Sequence, residues 1–138
     1  MESVLLVIAI AVVIAGIVGL SYWLRRERSS QYREIWLSHN IKSYSITLRH
    51  GLGLIDRFDS EELGSGTTLT VIDGQLVEVD NPDTTQANLD DFASYTIEGL
   101  FIKAIGYKYV EYDSIYGFPC RMGTDDTWTI EIVDFHLL

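Results

Sequence analysis

The densest gathering of reactive and recognition side chains is the run Tyr112-Asp113-Ser114-Ile115-Tyr116-Gly117-Phe118-Pro119, which sets two phenols and a carboxylate on a short, rigid segment. Such a set offers a ligand or partner both stacking faces and hydrogen bonds, with Tyr112, Asp113, Tyr116 and Phe118 as the candidate contacts. The same residues also suffice for a plain turn, in which Asp113 caps, Gly117 supplies an unusual φ, Pro119 fixes the next strand and the aromatics pack. That turn chemistry needs no ligand. Cys120 with His136 could in principle form a thiolate–base pair, but no third orienting group and no helix N-terminus accompanies the cysteine, so an inert, buried thiol is expected. As the one cysteine of the chain, Cys120 also rules out an intramolecular disulfide or a CxxC redox pair.

His39, His50 and His136 lack any HExxH, HxH or Cys/His metal spacing. The acidic pairs Asp90-Asp91 and Asp125-Asp126 and the run Asp80-Asn81-Pro82-Asp83 do not alternate as a calcium loop requires, and read as solvated turns. No GxxxxGK, GxGxxG after a strand, or GxSxG occurs. The expectation is therefore a non-catalytic protein with no cofactor and no metal. A formal charge of −10, from 20 acidic against 10 basic side chains, would repel a polyanion, so nucleic acid is not an expected partner.

Two unlike parts must position these residues. Val4 to Leu20 is an unbroken apolar or glycine run, and Ser21-Tyr22-Trp23-Leu24 extend it to 21 residues before the first arginine. As a helix it measures about 31 Å, enough for a hydrocarbon core of about 30 Å. Tyr22 and Trp23 then fall at the level of an interfacial aromatic belt, followed by Arg25, Arg26 and Arg28. A cleaved signal peptide expects a basic start, a shorter core and a small-x-small site beyond it; here Glu2 precedes the run and the Ala9–Ala11 triplet lies within it. The expectation is a retained single-pass anchor over residues 1–28, with the lipid bilayer as its first partner. Ala11, Ala15 and Gly19, at i, i+4 and i+8, form a small-residue stripe against which a helix of another membrane protein could pack closely. Arginine bias places the following domain on the cytoplasmic side.

Residues 29–138 carry 18 acidic and 7 basic side chains. Ser29-Ser30 are read as the cap of an amphipathic helix from about Gln31 to Asn40, with Tyr32, Ile35, Trp36 and His39 on one face. Tyr44, Ile46 and Leu48 alternate with polar residues in a strand over Ser43–His50. Gly51 to Gly66 reads as a long loop. Thr67–Ile72 and Gln75–Val79 flank Asp73-Gly74, the signature of a type I′ hairpin. Ile97, Leu100, Phe101, Ala104 and Ile105 share a face of a second helix over Thr96–Gly106, with Glu98 and Lys103 opposite. Tyr107–Tyr112, Pro119–Met122 and Thr127–Phe135 complete the strands. The order α-β-β-β-α-β-β-β predicts an α+β fold: a transmembrane helix, then a two-layer domain over 29–138 whose antiparallel sheet of about five or six strands is covered by two helices.

Trp36, the segments Tyr44–Arg49, Val71–Val79 and Thr96–Phe101, the Val110–Pro119 stretch with its YDxxYGFP pattern, and Ile132–Phe135 together resemble a family of small bacterial exported and lipoprotein-type domains of unknown function. The resemblance covers about residues 34–135. It implies a small α+β domain displayed at a membrane or cell envelope, on the extracytoplasmic side, and brings no established activity. Relatives often carry paired cysteines after the first strand, where this chain has His50, Gly51 and Gly53, and a cleaved or lipidated leader. Two functions follow as expectations. One is an accessory or interaction subunit of a larger membrane assembly; the other is an envelope sensor or ligand-binding domain that uses the Tyr112–Pro119 turn.

Overall fold

A computed structural model describes residues 1–50, 66–80, 89–124 and 127–138. The expected loop after Gly51, the Asn81–Asp83 turn and the Asp125-Asp126 pair lie outside these residues, apart from Gly66.

Helix α1 runs from Glu2 to Ser38 as one uninterrupted element of 37 residues. The helix cap expected at Ser29-Ser30 is absent. From Ser21 to Ser38 there is no glycine or proline, and arginine, glutamate and glutamine, all good helix formers, fill the junction. Ser29 is instead a buried mid-helix residue whose hydroxyl donates to the Phe101 carbonyl at 3.5 Å. Asn40 stops the helix: it adopts φ 52°, and its N–H reaches back to the Leu37 carbonyl at 3.1 Å. Among the described residues one helix, Glu2–Ser38, is long and apolar enough to cross a membrane, a length and composition that a signal sequence near the N-terminus shares.

Strands β1 (Tyr44–His50), β2 (Thr67–Ile72), β3 (Gln75–Asp80), β4 (Tyr109–Tyr112), β5 (Pro119–Thr124) and β6 (Thr127–Leu137) form one antiparallel sheet in the order β3-β2-β1-β6-β5-β4. The β2–β3 hairpin turns at Asp73 (φ 50°) and Gly74 (φ 78°), the two positive angles a type I′ turn demands. A four-residue helix α2 (Leu89–Phe92) and a 3₁₀ turn (Ala93–Tyr95), neither expected, lead into helix α3 (Ile97–Ala104). Thr96 caps α3 by accepting from the Gly99 N–H at 3.3 Å.

Alternation in β1 fixes which sheet face is dry. Tyr44, Ile46 and Leu48 point inward with Leu69 and Val71 of β2, Met122 of β5 and Ile130 of β6. Onto this face pack Trp36 of α1 and Ile97, Leu100, Phe101 and Ala104 of α3, so the two-layer α+β architecture holds. The other face is polar. Thr47 and Thr68 share a 3.0 Å hydroxyl contact across β1 and β2, and Glu111, Arg121, Glu131 and Arg49 succeed one another across β4, β5, β6 and β1 in alternating sign. Arg121 Nε lies 3.3 Å from Glu111 and 3.8 Å from Glu131.

Candidate functional site

The Tyr112–Pro119 run joins β4 to β5 and closes against α1. Asp113 organises it: Oδ2 accepts from the N–H groups of Ile115 (3.0 Å) and Tyr116 (2.7 Å), while the Asp113 N–H donates to the Phe118 carbonyl (2.8 Å). This is an Asx-type turn, in which the carboxylate does the work of a backbone carbonyl. Gly117, at φ +82°, is required twice over. A Cβ there would sit 2.7 Å from the Tyr32 carbonyl oxygen and 3.0 Å from Ile35 side-chain carbons, besides occupying the left-handed region.

Around that contact the aromatics of α1 and of the turn interlock. Tyr32 and Tyr112 stack with centroids 4.2 Å apart and planes 1° from parallel, and the Arg28 guanidinium lies 5.8 and 5.4 Å from the two rings. Phe118 meets Trp36 edge-on at 6.1 Å and Phe135 at 4.8 Å. Tyr116 lies 5.1 Å from His39 and 5.2 Å from Phe135. The exposed His39 ring still finds a partner, Nε2 donating to the Ile115 carbonyl at 2.9 Å. Burial pushes the Tyr112 phenol above its ordinary pKa, with the Ser29 hydrogen bond and the Arg28 charge pulling the other way. Tyr112, Asp113, Tyr116 and Phe118 are thus brought together, and the surface they meet is the C-terminal part of their own α1, from Tyr32 to His39. What the arrangement does chemically is clasp a helix.

A second tie, not anticipated, runs through Glu98 in the first turn of α3. Its carboxylate accepts from Trp36 Nε1 (3.4 Å) and from the Tyr44 hydroxyl (2.9 Å), and that hydroxyl in turn accepts from the Ile97 N–H at 2.9 Å. One side chain therefore joins α1, β1 and α3. Burial above all, then the Glu98 charge, raises the Tyr44 pKa far beyond the ordinary phenol range. Helical periodicity placed Glu98 on the wet face, where it is indeed exposed; the available signal was Tyr44 and Trp36, polar-tipped aromatics at core positions that need partners.

Cys120 is half-buried and its thiol donates to the Glu111 carbonyl at 3.4 Å. Burial, then the Glu111 and Asp113 charges, pushes its pKa up, which keeps it protonated and weakly nucleophilic. His136 Nε2 lies 2.9 Å from Asp134 Oδ2 on the open sheet face. Among the described residues no three His, Cys, Asp or Glu side chains converge as metal ligands would. Ala11, Ala15 and Gly19 lie on the exposed apolar length of α1, where a Cβ at Gly19 would meet nothing within 4 Å. Gly19 stands 13 residues before Tyr32, about 20 Å along the axis, so the stripe and the clasp are separate surfaces. Protein-family models, curated proteins and solved structures were all compared with the chain, and none matches.

Proposed function

We propose that the chain is a non-catalytic, single-pass membrane protein, an accessory or interaction subunit that holds an acidic α+β domain in a fixed attitude to the bilayer within a larger membrane assembly. The observation that carries this reading is the continuity of α1. The helix whose side chains from Val4 to Leu24 face outward unpartnered also delivers Trp36, 2% exposed, into the domain core. A cleavable leader has no reason to share an unbroken helix with a core element, and removal of residues up to the arginines would leave the clasp without its preceding turns. Because a helix is stiff over this length, tilt or rotation of the membrane segment is transmitted to the sheet.

The arginines Arg25, Arg26, Arg28 and Arg33 support a cytoplasmic domain. The small-residue stripe at Ala11, Ala15 and Gly19 supplies the closest approach for a partner helix. The sensor alternative draws less support, since stacking faces of Tyr112 and Phe118 are engaged by Tyr32 and by Trp36 and Phe135. Extraction in mild detergent at native abundance followed by native mass analysis tests the role. A complex larger than one chain, lost on Ala15→Leu/Gly19→Leu, is expected; a strictly monomeric species would contradict it.

A further inference from the structure

Although the chain is acidic, six of its ten basic side chains, Arg25, Arg26, Arg28, Arg33, Lys103 and Lys108, sit on α1 just past the apolar run or on α3 and the residue pairs after it. The fold gathers them at one end. Helix α3 runs antiparallel to α1: Glu98 meets Trp36, the Phe101 carbonyl meets Ser29, and Ile105 faces Arg26, so the C-terminal end of α3 is the end nearest Leu24. Between the helices an open groove of about 320 Å³ has Arg26, Ser30 and Arg33 on one wall and Ile102 and Ile105 on the other. Arg26, Ser30 and Arg33 follow one another at four- and three-residue spacing, on one helix face. Among the described residues neither Arg26 nor Arg33 forms an ion pair. Ile102, 75% exposed, is an apolar lip on an otherwise charged rim.

We infer that this groove seats the headgroup phosphate of an anionic lipid, a role that rests on the membrane-spanning reading above. Two guanidinium groups and a hydroxyl are matched to phosphate oxygens. The level is right as well. Arg26 lies about 3 Å and Arg33 about 13 Å beyond Leu24 along the axis, and helical side chains lean toward the N-terminus, so both reach back toward a headgroup layer roughly 5–7 Å deep. The isoleucines meet the glycerol and first acyl methylenes, contacts a free phosphate would not use. A soluble anion also has to approach a molecule of net charge −10, whereas the tether holds the groove at the leaflet surface.

The test uses the full chain in nanodiscs of mixed phosphatidylglycerol and phosphatidylcholine, counting retained lipids by native mass spectrometry. Wild type is expected to enrich phosphatidylglycerol, and Arg26→Gln/Arg33→Gln to lose that preference by roughly tenfold or more, from the usual worth of two basic side chains at an anionic surface. Lys42→Gln, which removes one charge beyond the far end of α1, is expected to change nothing. No enrichment in wild type, enrichment that survives the double substitution, or an equal loss in Lys42→Gln overturns the inference. So does glycerol phosphate that stabilises the protein in pure phosphatidylcholine discs to the same degree, because the site would then serve a soluble anion. Carbonate washing of vesicles separates the two readings: a chain that stays in the pellet without a lipid preference ends only the groove, and one that washes off ends the spanning reading too.

Discussion

At the scale of single residues, the Tyr44 hydroxyl has the most at stake. It is fully buried, donates to Glu98 and accepts from the Ile97 N–H, so Tyr44→Phe leaves a buried N–H unpaired and is expected to cost about 1–3 kcal/mol, read as a lower thermal midpoint by near-ultraviolet circular dichroism. Its raised pKa gives a pH signature. Above the ordinary phenol value near 10 the unfolded chain loses this proton while the folded chain keeps it, so stability is intact below about pH 10 and falls as pH rises beyond it, by up to about 1.4 kcal/mol per unit for one proton. Tyr107 and Tyr112, also raised by burial, act in the same direction, and Tyr44→Phe should remove the largest share of the alkaline slope. A slope unchanged by the substitution would contradict a Tyr44 phenol buried in the core beside Glu98. Gly117 and Gly74 make a matched pair: both have φ near +80°, but Gly74 faces open space and Gly117 faces Tyr32 and Ile35. Gly74→Ala should cost about 1 kcal/mol from backbone strain alone, and Gly117→Ala about 1–2 kcal/mol more. Equal losses would mean that the turn does not press on α1.

At the scale of elements, the long helix is the feature whose interruption separates the apolar segment from the domain. Ser30 is exposed and its side chain lies outside the core, so Ser30→Pro acts through the backbone: it removes one helical hydrogen bond and clashes with the carbonyl four residues earlier, at about 3 kcal/mol. The expected outcome is a loss of domain stability with membrane association retained. A variant as stable as wild type would mean that a hinge already exists there. The elements that could be read in the sequence are those set by local rules. Tyr44, Ile46 and Leu48 alternate on their own, and Asp73-Gly74 specifies its hairpin within two residues. Continuity across Ser29-Ser30 is harder to read that way, because serine suits both a cap and a helix interior; besides the good helix formers around it, what favours the interior is burial of Ser29 against α3, where its hydroxyl meets the Phe101 carbonyl 72 residues away. Likewise Tyr112 to Phe118 announced a turn, while its partner surface on α1 is a tertiary fact. Glu98 was hidden for the same reason: its spacing belongs to the wet face, and its bonds are to β1 and α1.

For the molecule as a whole, charge and shape are arranged along one axis. The open sheet face is a polar lattice in which Arg121 lies between Glu111 and Glu131, with all three side chains partly solvated. Arg121→Gln should therefore shift stability by no more than about 1 kcal/mol, measured by the same thermal midpoint, and a larger loss would assign that face a structural burden the geometry does not give it. The opposite face is sealed by α1 and α3, and the basic residues collect where those helices approach the end of the apolar run. On the membrane-spanning reading proposed above, such a body has a defined top and bottom relative to the bilayer.

Hydrogen exchange on the full chain in lipid nanodiscs tests the central claim most directly. If one rigid helix passes from lipid into the core, amides from Val4 to Leu24 are shielded by the bilayer and those from Arg25 to Trp36 exchange as slowly as the central strands β1 and β6. Rapid exchange confined to Glu27–Gln31, or recovery of a chain trimmed before the arginines, would show that anchor and domain are joined by a hinge or not joined at all.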